Sequence, residues 1–267
     1  MTSGKLLPVV TIVTMLAGWE ALVRLAGIPH YTLPAPSLVA QTLWQNLPSL
    51  ATSWWFTLKI TFGGLALAAA GGAVLAAVFA LSRRVEAALF PLAIVLQVTP
   101  IVAIAPLILI YVESTTAALL LCAWVVAFFP VLSNTVIGLR AADPNLRDLF
   151  RLYRATRWQR LRLLLLPSAL PYFMAGLKIS GGLSLIGAVT AEMVAGVAGR
   201  ETGLASRILE ASFRSETPKM FAALALLMIT GILIFWTFSA LSRVLIGRWH
   251  ASEQAWGTGP GDQRRLP

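Results

Sequence analysis

The chain is 267 residues long, 58% hydrophobic and only 12% charged, with a formal net charge of +10. Globular domains carry ~25% charged residues, so this composition, with a mean hydropathy of +0.79, excludes an ordinary soluble domain and predicts an all-α protein embedded in the lipid bilayer. The basic surplus does not point to nucleic acid, because the arginines sit in short connections beside apolar runs.

A helix needs about 20 mostly apolar residues to cross the hydrocarbon core. Six stretches qualify: 6–23, 57–81, 89–112, 117–139, 169–197 and 221–246. The first resembles a signal peptide, yet "WEALVRLAGIPHYTLPAPS" holds no small-residue cleavage site, so residues 1–28 read as a retained helix. Residues 29–56 read as an extracytoplasmic connection, in which 37–49 carries Leu38, Leu43 and Leu47 near helical spacing and lies along the membrane surface. Along the second span Gly64, Ala68, Gly72, Ala76 and Ala80 recur every fourth position, a flat stripe for close helix approach. Pro91, Pro100 and Pro106 interrupt the third span, where each removes a donor, so irregular backbone is expected. Cys122, alone in its type, excludes an intrachain disulfide and reads as packing. The tail 247–267 is polar with glycine and proline, reads as disordered and is assigned no role.

Loop charges set an expected direction. Arg83 and Arg84 follow the second span, and seven arginines from Arg140 to Arg162 follow the fourth. The tail adds Arg243, Arg248, Arg264 and Arg265, whereas the third-to-fourth connection has only Glu113. Six spans with both termini in the cytoplasm is the expected topology.

The arginine-rich connection has local order of its own. Asp143-Pro144 reads as a helix start, aspartate at the N-cap and proline where no donor is missed. Leu149, Leu152 and Tyr153 share one face and Arg147, Arg151 and Arg154 another. Thr156 with Gln159 is a capping-box pattern that opens a second short helix, 157–166, expected to end near Pro167. Positive charge alone would satisfy topology. A capped amphipathic helix that presents Phe150 and Tyr153 suggests a partner's groove.

The stretch "DLFRLYRATRWQRLRLLLLPSALPYFMAGLKISGGLSLIGAVTAEMVAG" resembles the cytoplasmic loop and next span of permease subunits of bacterial ATP-binding cassette (ABC) importers. "LPAPSLVAQTLW", "LSRRVEAALFPLAIVLQVTPIVAIAPLILIYV", "FFPVLSNTVIGLRAADPNL" and "ETGLASRIL" extend the likeness across 33–221, toward nitrate, sulfonate, taurine and thiamine-precursor permeases. The resemblance implies a type I importer permease core of five helices, within 57–246 here, preceded by one extra helix. It also implies paired permeases in the inner membrane, separate ATPase subunits that bind ATP and magnesium, an extracytoplasmic solute-binding protein, and no enzymatic activity or cofactor in this chain. The coupling segment would comprise Asp148, Leu149, Phe150, Arg151, Leu152, Tyr153, Arg154 and Ala155. Aligned on Leu166-Pro167, the family's Glu-Ala-Ala falls on Asp148, Leu149 and Phe150, and its glycine on Arg154, where arginine lacks glycine's freedom to turn left-handed. No G-x-x-x-x-G-K-[ST] occurs in the chain.

Among intramembrane polar residues, Glu192 is a candidate for the outer half of the path, for a partner-subunit contact, or for the headgroup boundary. Lys178, about 21 Å away along the same helix, reads as a snorkelling side chain. Asn134 and Ser133 read as interhelical hydrogen-bonders. An intramembrane enzyme finds no support: His30 and His250 lie outside the spans and Cys122 has no histidine nearby in sequence. A secondary carrier or channel working without an ATPase is the remaining alternative, although no internal repeat supports a carrier. The solute expected from the resemblance is a sulfonate-, nitrate- or taurine-like anion or a pyrimidine-like thiamine precursor.

Overall fold

The computed structural model describes residues 3–196 and 202–246. The tail reading for 247–267, with His250, Arg248, Arg264 and Arg265, lies outside the described residues. Among those described, only helices, turns and loops occur. In chain order the helices are α1 (Ser3–Leu25), α2 (Pro36–Gln45), α3 (Leu47–Leu81), α4 (Arg83–Val98), α5 (Ile101–Tyr111), α6 (Thr115–Arg140), α7 (Pro144–Leu152), α8 (Arg157–Arg160), α9 (Leu166–Ala195), α10 (Leu204–Phe213) and α11 (Thr217–Ile246). A wide π turn, Leu161–Leu165, joins α8 to α9.

Among the described residues, five helical segments are long and apolar enough to cross a membrane: Leu7–Leu25, Leu47–Leu81, Thr115–Arg140, Arg157–Ala195 and Thr217–Leu245. The expected third span is instead α4 and α5, bent by 101° at Thr99-Pro100, and makes a sixth crossing only if the pair is taken together. Of its three prolines, Pro100 alone breaks the helix, while Pro91 and Pro106 lie inside α4 and α5. Thr99 eases the break by donating its hydroxyl proton to the Val95 carbonyl at 2.7 Å.

Two boundaries differ from expectation. The stretch 37–49 is not one helix: α2 closes at Gln45, and α3 begins at Leu47 rather than Thr57, with Pro48 in its first turn, where a missing N–H costs no helical hydrogen bond. The second loop helix does not stop at Pro167. The π turn absorbs the missing donor, with the Leu166 N–H reaching back to the Leu161 carbonyl, and the chain continues as helix into α9.

The chain divides into two compact units, Met1–Lys59 with Glu192–Thr230, and Ile60–Ala191 with Gly231–Pro267. In the second unit α6 is packed between two neighbours. Along the α3 stripe, a side chain at Gly64 would meet Ala123, and one at Gly72 would meet Val131, eight residues further on both helices, so α3 and α6 run parallel. Ala68 and Ala76 of the stripe are fully buried. On its other side α6 meets α9 antiparallel, Gly138 against Ala169, Pro130 against Gly176 and Ala123 against Gly187. Ser180 and Ser184, one turn apart on α9, donate to the Ala127 carbonyl (2.7 Å) and the Thr61 carbonyl (2.8 Å). Backbone contact at small residues, sealed by hydroxyl-to-carbonyl bonds, suits association where lipid removes the hydrophobic drive between helices.

The first unit is held by polar contacts. Glu20 of α1 accepts from the Ser37 N–H (2.9 Å), the Ser37 hydroxyl (2.7 Å) and Arg24 Nε (2.6 Å), and so caps the start of α2 from outside. Trp54 Nε1 donates to Thr230 Oγ1 at 2.7 Å, and Trp19 lies 6.0 Å from the Phe221 ring.

Candidate functional site

The helix α7 is built from local signals. The Asp143 carboxylate accepts from the Asn145 N–H at 2.7 Å, and Pro144 occupies the first turn. At the far end the Arg154 N–H donates to the Arg151 carbonyl and the Ala155 N–H to the Phe150 carbonyl, both at 2.9 Å. That pair of bonds is a Schellman motif, with the left-handed position taken by Arg154 at φ 51°. Thr156 then opens α8 with the expected capping box: its hydroxyl accepts from the Gln159 N–H (3.2 Å), and its own N–H reaches Gln159 Oε1 (2.8 Å).

One side chain ties α7 to the bundle. Arg147 Nη2 donates to the Leu139 carbonyl at 3.3 Å and to the Arg140 carbonyl, placing a positive charge on the C-terminus of α6. No residue of α7 is fully buried. Leu149 (44% exposed), Leu152 (81%) and Tyr153 (80%) form an outward apolar face, joined by Leu146 (46%), which the sequence reading missed although it lies three residues before Leu149. Asp148 pairs at the surface with Arg151 at 3.3 Å. Phe150 corrects the expectation of a partner anchor: it packs against the core of the second unit. At about 100° per residue it stands a quarter-turn from Leu149 and so faces inward. The segment from Asp148 to Ala155 is therefore a capped helical turn with three exposed apolar side chains, one inward anchor and a left-handed arginine exit.

The second constellation centres on Glu192, which is 1% exposed. In the first unit its Oε1 accepts from the Thr57 hydroxyl at 2.8 Å and its Oε2 from the Ala205 N–H at 3.1 Å. Thr57 in turn accepts from the Leu204 N–H at 2.9 Å. Leu204 and Ala205 are the first residues of α10, so the carboxylate and hydroxyl together satisfy donors that the helix start leaves open. A side chain at Gly203 would overlap the Glu192 carboxylate, and its φ of −82° leaves that contact as the only demand for glycine. This burial keeps the Glu192 carboxylate out of contact with water. No local signal marks the arrangement, since Thr57 is 135 residues away.

Asn134 does not bridge helices through its amide: Nδ2 donates to the Pro130 carbonyl of its own helix at 2.8 Å. In the second unit Ser180 and Ser184 supply interhelical bonds instead, and their only sequence signal was their one-turn spacing. Lys178 is half-buried, its Nζ 5.6 Å from the Phe235 ring centre.

The fold and these two constellations define a membrane-embedded permease, and comparison with known proteins agrees. Residues 69–248 match the family described as binding-protein-dependent transport system inner membrane component. The chain is 36% identical to the riboflavin transport system permease protein of Chloroflexus aurantiacus, over 91% of this chain and 90% of that one. It is 31% identical to the formylaminopyrimidine transport permease protein of Halalkalibacterium halodurans, over 90% and 94%. A chain in a crystal structure of an amino acid ABC transporter with histidines shares the fold at a TM-score of 0.58, with 19% identity, over 78% of this chain and 97% of that one. The chain belongs to the family of inner membrane components of binding-protein-dependent transport systems. It is an ABC importer permease subunit with the type I fold, and this sets aside the carrier or channel working alone.

Proposed function

We propose that this permease carries a pyrimidine-type heterocycle inward, driven by separate ATPase subunits that engage the segment from Asp148 to Ala155. The single observation that carries the coupling role is the outward apolar face of Leu149, Leu152 and Tyr153, exposed on a helix whose both ends are capped and whose base is tied to α6 by Arg147. Exposed leucine and tyrosine on a rigid element are the makings of a groove-binding helix. ATP and magnesium are held by the partner, two copies of this chain form the pathway, and an extracytoplasmic binding protein delivers the solute. Both termini face the cytoplasm, as the arginine distribution directs. ATP-driven closure of the ATPases shifts the permease only through contacts that differ between its inward- and outward-open states, and a stiff α7 transmits that difference. Support for the solute class comes from the relatives named for riboflavin and formylaminopyrimidine, both of which contain a pyrimidine ring.

Replacing Leu149, Leu152 and Tyr153 together by serine tests the coupling role. The permease is expected to insert normally but to lose co-purification of the ATPase and solute uptake. Unchanged co-purification and uptake in that variant would remove α7 from the coupling path.

A further inference from the structure

The second unit encloses a cavity of about 980 Å³ where α3 and α6 end and α4 begins. Its mouth carries five guanidinium groups, from Arg83, Arg140, Arg147, Arg151 and Arg160, against one lining carboxylate, Glu86, which is already paired with Arg140. Arg151 has a surface partner in Asp148, whereas Arg83 and Arg160 have none among the described residues. A second observation singles out the interior. Arg147 Nε is buried without a hydrogen-bond partner, although the same guanidinium caps α6 through Nη2. An unmet buried donor inside a surplus of positive charge is costly unless an acceptor from elsewhere completes it.

The deeper wall is apolar: Phe79, Phe90, Val136, Leu139 and Leu165 line it, with the Phe79 and Phe90 rings 6.3 Å apart. Cationic rim and greasy wall meet where two span-length helices, α3 and α6, terminate.

We propose that this cavity binds the phosphate of an anionic phospholipid, with an acyl chain lying along the apolar wall. Several guanidinium groups around one phosphate match its acceptor oxygens better than ammonium groups would. Basic pockets between membrane helices hold anionic headgroups by this chemistry. Free phosphate would satisfy the arginines and leave the wall unused, and this favours the lipid. The bound lipid would brace α7 against the membrane surface through Arg147 and Arg151.

The test uses the full-length permease purified in mild detergent and exposed to equal amounts of phosphatidylglycerol and phosphatidylethanolamine, with retained lipid measured by mass spectrometry after washing. Wild type is expected to enrich phosphatidylglycerol at least about fivefold, and Arg83→Gln with Arg160→Gln to abolish most of that enrichment. Both positions lie outside the coupling segment. Arg84→Gln, which removes one positive charge just outside the lining, as each of the two single variants does within it, is expected to retain the lipid. If the double variant fails to fold, each single variant is measured, with partial loss expected. Equal retention of the two lipids by wild type would overturn the proposal, as would equal loss in the Arg84→Gln control. Arginine-dependent binding of inorganic phosphate with no lipid enrichment would also overturn it, in favour of a soluble anion.

Discussion

α7 and α10 are short helices of nearly equal length, nine and ten residues, both outside the membrane-spanning segments. Both end in a Schellman motif with a non-glycine residue at the left-handed position, Arg154 at φ 51° and Ser215 at φ 57°. Their beginnings differ. α7 caps itself with Asp143, its own preceding residue, and buries none of its side chains fully. α10 has no side-chain cap of its own at Gly203; its open N–H groups are met by Thr57 and Glu192, and Leu204, Ala205, Ser206 and Ala211 are buried. The self-capped α7 keeps its apolar face exposed and meets its unit through Arg147 and Phe150, whereas α10 is held by a distant buried carboxylate. α2 follows the second pattern, with Glu20 of α1 at its start.

The comparison breaks most sharply at Glu192. Glu192→Ala strands Thr57 and the Ala205 N–H in a buried site, and the expected loss is on the order of 3 kcal/mol, since each unmet buried donor costs about 1–3 kcal/mol. Thermal unfolding in detergent would register it, with hydrogen exchange rising first in α10. The corresponding change in α7, Asp143→Ala, removes an exposed cap worth roughly 1 kcal/mol and should loosen α7 alone. An equal effect of the two substitutions on global unfolding would erase the distinction.

A smaller effect tests the shared ending. An L-residue in the left-handed region costs about 1–2 kcal/mol, and the greater freedom of glycine in the unfolded chain gives back about 0.4–1 kcal/mol. Arg154→Gly and Ser215→Gly should therefore each stabilise by roughly 0.5 kcal/mol. The gain at Ser215 should appear in global stability, and that at Arg154 only in the local exchange rates of α7.

The smallest effect concerns pH. A hydrogen bond from Arg207, with the nearby charge of Arg214, holds the Glu210 carboxyl of α10 below the ordinary carboxylate value of 4.5. A depressed folded-state value means that the stabilisation is full above pH 4.5 and is lost as pH falls through the lower folded value. Melting temperatures of wild type and Glu210→Gln should thus differ at pH 7 and converge in acid. Convergence toward neutral pH instead would reverse the sign.

Signals carried within a few residues of one another were legible in the sequence: the Asp143-Pro144 start, the Thr156–Gln159 box, the apolar runs, and the small-residue stripe of α3. The left-handed turn at Arg154 was not, since arginine lacks the freedom of the family glycine aligned with it, yet the chain turns left-handed there. What depended on facing was less so. Phe150 was read as an outward anchor because composition favours aromatic residues at interfaces, yet its angular position on α7 turns it into the core. The third span was read as one run because hydropathy is insensitive to direction, and a single proline among three produced the 101° bend.

Length, hydropathy and cap spacing by themselves determined an all-helical membrane protein and the starts of its loop helices, because each of those features is satisfied by neighbours along the chain. Only the tertiary structure decided what Glu192 binds, which serines bridge helices, and where five arginines gather over an apolar wall. Those partners lie tens to more than a hundred residues apart, and nothing but packing brings their polar atoms within hydrogen-bonding reach.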